Sequence, residues 1–119
     1  MPDIANLIGL EISRGPIQGT SAVGGSDLAT NNRPVVPNIF HFAQMTELLV
    51  GQFQHNWFTS GQLSIRYLRP LQQGEELVIR AKVISYDDDN AERVNLSVWC
   101  ENMNGELLAT GDASCNWAL

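Results

Sequence analysis

Gly61-Gln62-Leu63-Ser64-Ile65-Arg66-Tyr67-Leu68-Arg69-Pro70-Leu71-Gln72-Gln73-Gly74-Glu75-Glu76-Leu77 is the stretch on which the fold turns. Leu63, Ile65 and Tyr67 fall on one side of an extended chain, and Ser64 and Arg66 on the other. That period of two marks a strand with one wet face. Pro70 and the Gln72-Gln73-Gly74 turn interrupt it. Alternation then resumes, with Leu77, Ile79, Ala81 and Val83 opposite Val78, Arg80, Lys82 and Ile84.

Two more segments of the same kind follow. Val94, Leu96, Val98 and Cys100 alternate with Arg93, Asn95, Ser97 and Trp99. Leu107, Ala109, Ala113, Cys115 and Trp117 alternate with Thr110, Asp112, Ser114 and Asn116. The connectors, Asp87-Asp88-Asp89-Asn90 and Asn102-Met103-Asn104-Gly105, are turn chemistry, so the second half predicts four antiparallel strands. The triple Asp reads as a solvated hairpin tip. A calcium loop needs a following Gly and a distal bidentate Glu at fixed spacing.

Upstream the period changes. Asn38 precedes a run, Ile39 to Phe53, that is free of Gly and Pro until Gly51. Asn is a favoured N-cap, so the helix is expected to start there. At 100° per residue Ile39, Phe42, Thr46, Leu49, Val50 and Phe53 form a broad apolar face, with Phe40, Met45 and Leu48 on its flanks. A helix apolar over most of its circumference is buried on most sides. The expectation is one α+β domain over residues 1–119, a curved antiparallel sheet wrapped around one long helix, with Phe42 and Leu49 facing the sheet. The first third is less regular. Leu7 to Ile12 fits a short helix or an edge strand, Pro16 to Asp27 is strand-like between glycines, and Asn31 to Pro37 is a loop around Pro34 and Pro37.

Composition narrows the function classes. The chain has 119 residues, 44% apolar and 17% charged, which argues against disorder. Seven Lys and Arg against 13 Asp and Glu leave a net charge of −6, with no basic cluster for a phosphate backbone. Nucleic acid and membrane partners are therefore not expected. No run approaches the roughly 20 apolar residues of a membrane span. The first residues carry no basic segment followed by an apolar one, so a cytoplasmic location is expected. Cys100 and Cys115 lack zinc-ligand spacing and are expected to be buried and reduced, with no metal.

The order of strand, loop, buried helix and four antiparallel strands resembles the hotdog fold. The Gly61–Leu77 stretch is similar to the strand–Pro–Gly–strand signature of acyl-CoA thioesterases in that superfamily. Asn104-Gly105-Glu106-Leu107-Leu108-Ala109-Thr110-Gly111-Asp112-Ala113-Ser114 is similar to their last hairpin. The resemblance implies hydrolysis of an acyl thioester, with coenzyme A entering as part of the substrate and no other cofactor. It also implies a homodimer, or a dimer of dimers, with the site between subunits. In such thioesterases a His-Gly-Gly stretch precedes the helix and an acid on the helix acts as base or nucleophile. Pro37-Asn38 stands here where His-Gly would, and the acidic position falls on Thr46, one residue before Glu47.

Glu47 is the only acid of the helix and hence the candidate catalytic residue. The other reading makes it a rim carboxylate, solvated or paired with Arg66 or Arg69. Backbone N–H groups of Asn38, Ile39 and Phe40 are candidates to polarise the thioester carbonyl at the helix start. His41 and Gln44 are candidate substrate contacts, placed with Gln52 on the flank away from Glu47; the alternative for His41 is a hydrogen-bonded histidine at a subunit interface. Trp57 and Arg69 complete the candidate groove, and His55 reads as a plain loop residue.

Two alternatives stay open. One is a non-catalytic hotdog protein that binds a ligand. The other is an enoyl-CoA hydratase or dehydratase, which the Ser60-Gly61-Gln62-Leu63 entry and Val35-Val36-Pro37 also resemble. Hydratases of this kind use an Asp and a His a few residues apart, whereas Asp27 here is followed by no His before His41.

Overall fold

The computed structural model describes residues 8–19, 29–30, 33–87 and 92–117. Glu11–Gln18 forms β1, Ala29–Thr30 and Arg33–Pro34 form the short pair β2 and β3, Asn38–Phe53 is α1 and His55–Ser60 is α2. Four strands follow: β4 (Gln62–Tyr67), β5 (Glu76–Tyr86), β6 (Arg93–Asn102) and β7 (Leu107–Asn116). The main sheet is antiparallel throughout, in the order β1-β5-β6-β7-β4. The four strands expected in the second half are present, and the less regular first third supplies the remaining edge strand.

Alternation decides which face of the sheet is dry. Leu77, Ile79, Ala81 and Val83 on β5, Val94, Leu96, Val98 and Cys100 on β6, and Ala109, Ala113 and Cys115 on β7 are all buried. α1 covers this face with Phe40, Met45, Leu48, Leu49 and Phe53. At about 25 cal/mol per Å² of apolar surface, the shared burial of helix and sheet is the main force holding the layers together.

The helix sits rotated from the face expected of it. Leu49 and Phe53 point inward as anticipated, but Ile39 and Phe42 are 53% and 44% exposed, while Phe40, His41 and Met45 are buried. A helix apolar nearly all round has no unique inner face, and the sheet selects the side that carries Met45.

Local chemistry fixes the ends of α1. The cap is Pro37, at φ −60 and ψ 146, with no side-chain cap bond. Asn38 is thus the first helical residue and not the cap. Upstream, the Val36 N–H donates to Leu71 O at 2.7 Å, which ties the approach to the segment after β4. Downstream, Gln54 at φ 54 ends the helix and turns the chain into α2. His55 is accordingly the first residue of a short helix and not a loop residue. Gly61 then leaves α2 so close to Trp57 that an added Cβ would lie 2.5 Å from its ring and its carbonyl.

The two sheet edges differ. β4 is a regular strand that, among the described residues, is hydrogen-bonded on one side only, to β7. β1 carries a bulge between Arg14 and Ile17, where Gly15 has φ +117 and Pro16 lacks an N–H.

Cys100 and Cys115 are free and buried, and burial pushes their thiols up to about 12 and about 11. The Asp88-Asp89-Asn90 part of the hairpin tip lies outside the described residues. Asp87 is held there by Asn95, whose Nδ2 donates to its carboxylate at 2.9 Å. Among the described residues no helix is long and apolar enough to cross a membrane.

Candidate functional site

The first turn of α1 meets the end of β4. Asn38, Tyr67, Leu68, Arg69 and Pro70 line a groove of about 260 Å³. The opening N–H groups of a helix have no intrahelical acceptor and carry positive partial charge. One of the three expected donors is already used, because the Phe40 N–H donates to Pro37 O at 2.9 Å. Phe40's side chain is in the core, so the residue offers this groove neither backbone nor ring. The N–H groups of Asn38 and Ile39 remain as candidates, and both side chains are exposed.

Arg69 stands at the mouth, ion-paired to Glu106 at 3.3 Å with both groups largely in solvent. Its position is fixed from behind, because the N–H groups of Leu68 and Arg69 share the carbonyl of Leu108 at 2.8 and 3.2 Å. Its charge therefore faces a second groove of about 660 Å³, lined by Leu68, Pro70, Glu106 and Leu107 as well.

His41 lies beneath the same turn, 1% exposed. Its ring meets those of Tyr67 and Phe40 edge-on, at centroid distances of 6.0 and 6.3 Å. Neither ring nitrogen has a hydrogen-bond partner among the described residues. Burial holds the imidazole below its usual value, and the carbonyls of Pro37 and Asn38 oppose that shift without hydrogen-bond geometry to the ring. Tyr67 was not among the residues singled out from sequence. Its phenol is raised, first by burial and then by the neighbouring Cys100. The only trace in the sequence is the place of Tyr67 at the end of the alternating run, beside Arg69-Pro70.

Glu47 is elsewhere. With Ile12, Ser13, Arg14, Leu48, Gly51 and Gln52 it lines a groove of about 490 Å³ between α1 and β1. Arg14 Nε donates to Gln44 Oε1 at 3.0 Å on that same side. Gln44, Gln52 and Glu47 therefore share one flank, and the expected separation of His41 and Gln44 from Glu47 holds only for His41, which turns into the core. The ion pairs proposed for Glu47 do not form: Arg69 is taken by Glu106, and Arg66 faces a groove with Ser64, Ser97 and Asp112. At 1.5 Å rise per residue, Glu47 stands about 13 Å along the axis from Asn38. One protomer does not bring the acid and the helix-start donors together.

Trp57, expected in the groove, is buried against Gly61 and packs in the core. Asp27, the acid of the hydratase alternative, lies outside the described residues. Among the described residues no three His, Cys, Asp or Glu side chains gather as a metal site.

No family model matches the sequence, and no curated protein matches it. Solved structures do. The chain superposes on the R-hydratase PhaJ1 from Pseudomonas aeruginosa with a TM-score of 0.76 at 14% identity, over 97% of this chain and 84% of that one. A hot-dog-like protein from Thermanaerovibrio acidaminovorans gives 0.70 at 16% identity, over 97% and 87%. The chain has the hotdog fold. Hotdog proteins of another activity are also similar. A thioesterase from Thermus thermophilus complexed with coenzyme A and Zn gives 0.54 at 17% identity, over 71% of this chain and 67% of that one. At such identities the likeness carries the fold and no activity.

Proposed function

We propose that this hotdog chain binds an acyl thioester of the coenzyme A type and hydrolyses it, with the thioester carbonyl at the start of α1. The observation that carries the reading is the open groove at that helix start, lined by Asn38, the first helical residue, and by Arg69, with Ile39 next in the same first turn. Backbone donors aimed at a carbonyl stabilise the oxyanion that forms when it is attacked. Arg69 suits the phosphates of a coenzyme A carrier. Hotdog neighbours with thioesterase in their names, one of them complexed with coenzyme A, support the ligand class.

The working unit in this proposal is a pair of chains. Among the described residues β4 offers an unpaired edge, and the exposed flank of α1 with Ile39 and Phe42 is an apolar surface for a second copy to cover. Glu47 lies on the β1 side of α1, the margin away from β4, so it is distant from its own helix start and pairing through β4 does not carry it to the partner's. Binding without turnover is the second reading, and the same distance favours it.

Release of free thiol from acetyl- and benzoyl-coenzyme A, followed with a thiol reagent, tests the function. Turnover together with thermal stabilisation by the thioester supports hydrolysis. Stabilisation without thiol release establishes the binder. A protein that shows neither has another ligand.

A further inference from the structure

We propose that His41 is the general base of the site at the start of α1, reached from the groove when Tyr67 moves aside. The inference rests on the reading of that groove as an acyl-thioester site and goes beyond it by assigning the proton acceptor within one chain. Three observations carry it.

The first is position. His41 is three residues after Asn38, so about 4.5 Å of helix rise separates them, one turn on the same side. The helix-start N–H groups and the imidazole therefore lie within reach of one carbonyl and the water that attacks it. Glu47 of the same chain fails that condition, standing about 9 Å further along the axis.

The second is the state of the ring. The two nitrogens of His41 and Nε1 of Trp117 are the buried side-chain polar atoms without a hydrogen-bond partner among the described residues. Native structures pair nearly all such groups, and a catalytic role is one of the few reasons to leave one unpaired. An imidazole with one bare nitrogen is already a base, because it has no bond to give up before accepting a proton.

The third is access. Tyr67 touches the imidazole edge-on and also lines the groove, so its ring is the wall the two share. It is the last residue of edge strand β4, and its side chain is partly in solvent. Rotation of that side chain opens the groove to the imidazole and leaves the backbone in place.

The step balances with water as the co-reactant. A water oxygen attacks the carbonyl carbon of the thioester, and His41 takes the proton that water gives up. The oxyanion is held by the N–H groups of Asn38 and Ile39. Its collapse breaks the carbon–sulfur bond, and the imidazolium returns the proton to the thiolate. The products are a carboxylic acid and a free thiol.

The test has three readouts on the full chain: the His41 ring proton resonances in NMR, thermal stabilisation by acetyl-coenzyme A, and thiol release. The proposal expects the wild-type His41 signals to shift on titration with acetyl-coenzyme A. It expects H41Q to lose about 10²–10⁴-fold in rate while keeping stabilisation by the thioester. Thioester binding that leaves the His41 signals unmoved overturns the assignment. So does a rate that survives in H41Q and falls in E47Q, which gives the base to Glu47. Neither result touches the binding site itself. Absence of any stabilisation by acetyl-coenzyme A overturns the site reading and this assignment with it. If H41Q does not fold, the wild-type titration alone decides.

Discussion

The imidazole of His41 and the ring of Tyr67 meet edge to face, with centroids 6.0 Å apart and planes at 81°. The contact joins the first turn of α1 to the end of β4, two elements with α2 between them in the chain. It packs a titratable ring where water does not reach, and that has a cost that depends on pH.

Burial lowers the folded-state pKa of His41. The unfolded chain then binds a proton at this site more readily than the folded one, so stability falls as pH drops through about 6.5, the unfolded value. Above that pH the contribution is complete. Melting temperatures measured from pH 7.5 to 5 should decline more steeply in the wild type than in H41Q. Parallel curves would show that His41 does not titrate on unfolding.

The rotated face of α1 separates two residues that the sequence groups together. Leu49→Ala should lower stability by about 2–5 kcal/mol through the cavity it leaves. Phe42→Ala, at a half-exposed position, should change it by no more than about 0.5 kcal/mol in the isolated chain. Urea denaturation of dilute protein distinguishes the two.

Two glycines should respond in opposite directions. A Cβ at Gly51 meets nothing within 4 Å, so Gly51→Ala should stabilise α1 by about 0.5–1 kcal/mol. At Gly61 the same atom would press on Trp57, and Gly61→Ala should cost about 1–3 kcal/mol. Thermal denaturation of both variants checks the pair.

Arg69→Ala isolates binding from folding. The Arg69–Glu106 pair is solvent-exposed and contributes about 0–1 kcal/mol at most. Stability should therefore be nearly unchanged, while affinity for a coenzyme A thioester falls and loses part of its salt dependence. Isothermal titration at two ionic strengths measures this.

The sheet was legible because strict alternation on Leu77–Val83 and Val94–Cys100 leaves one choice of inner face. The helix was legible in extent, from residue 38 or 39 to Phe53, but not in rotation. Ile39 and Phe42 are as apolar as Phe40 and Met45, and only the sheet ranks them. The candidate groove was half legible. Asn38 and Ile39 follow from where a helix starts, and Arg69 from its place beside Pro70. The meeting of His41 with Tyr67 depends on the tertiary packing of α1 over β7 and β4, which no spacing along the chain encodes. The hint was a single imidazole on a helix otherwise apolar toward the core.

The unequal edges of the sheet limit how many chains one sheet can contain. Were both margins as regular as β4, each added copy would present a fresh margin to the next, and growth would have no natural stop. The bulge at Gly15-Pro16 makes β1 a poor template, since the register shifts and one donor is missing. Pairing through β4, as proposed above, would consume the regular margin of each partner and leave two blunt ends facing outward. Association by that route, the one proposed above, would end at two chains, because the irregular strand offers a third copy little to extend.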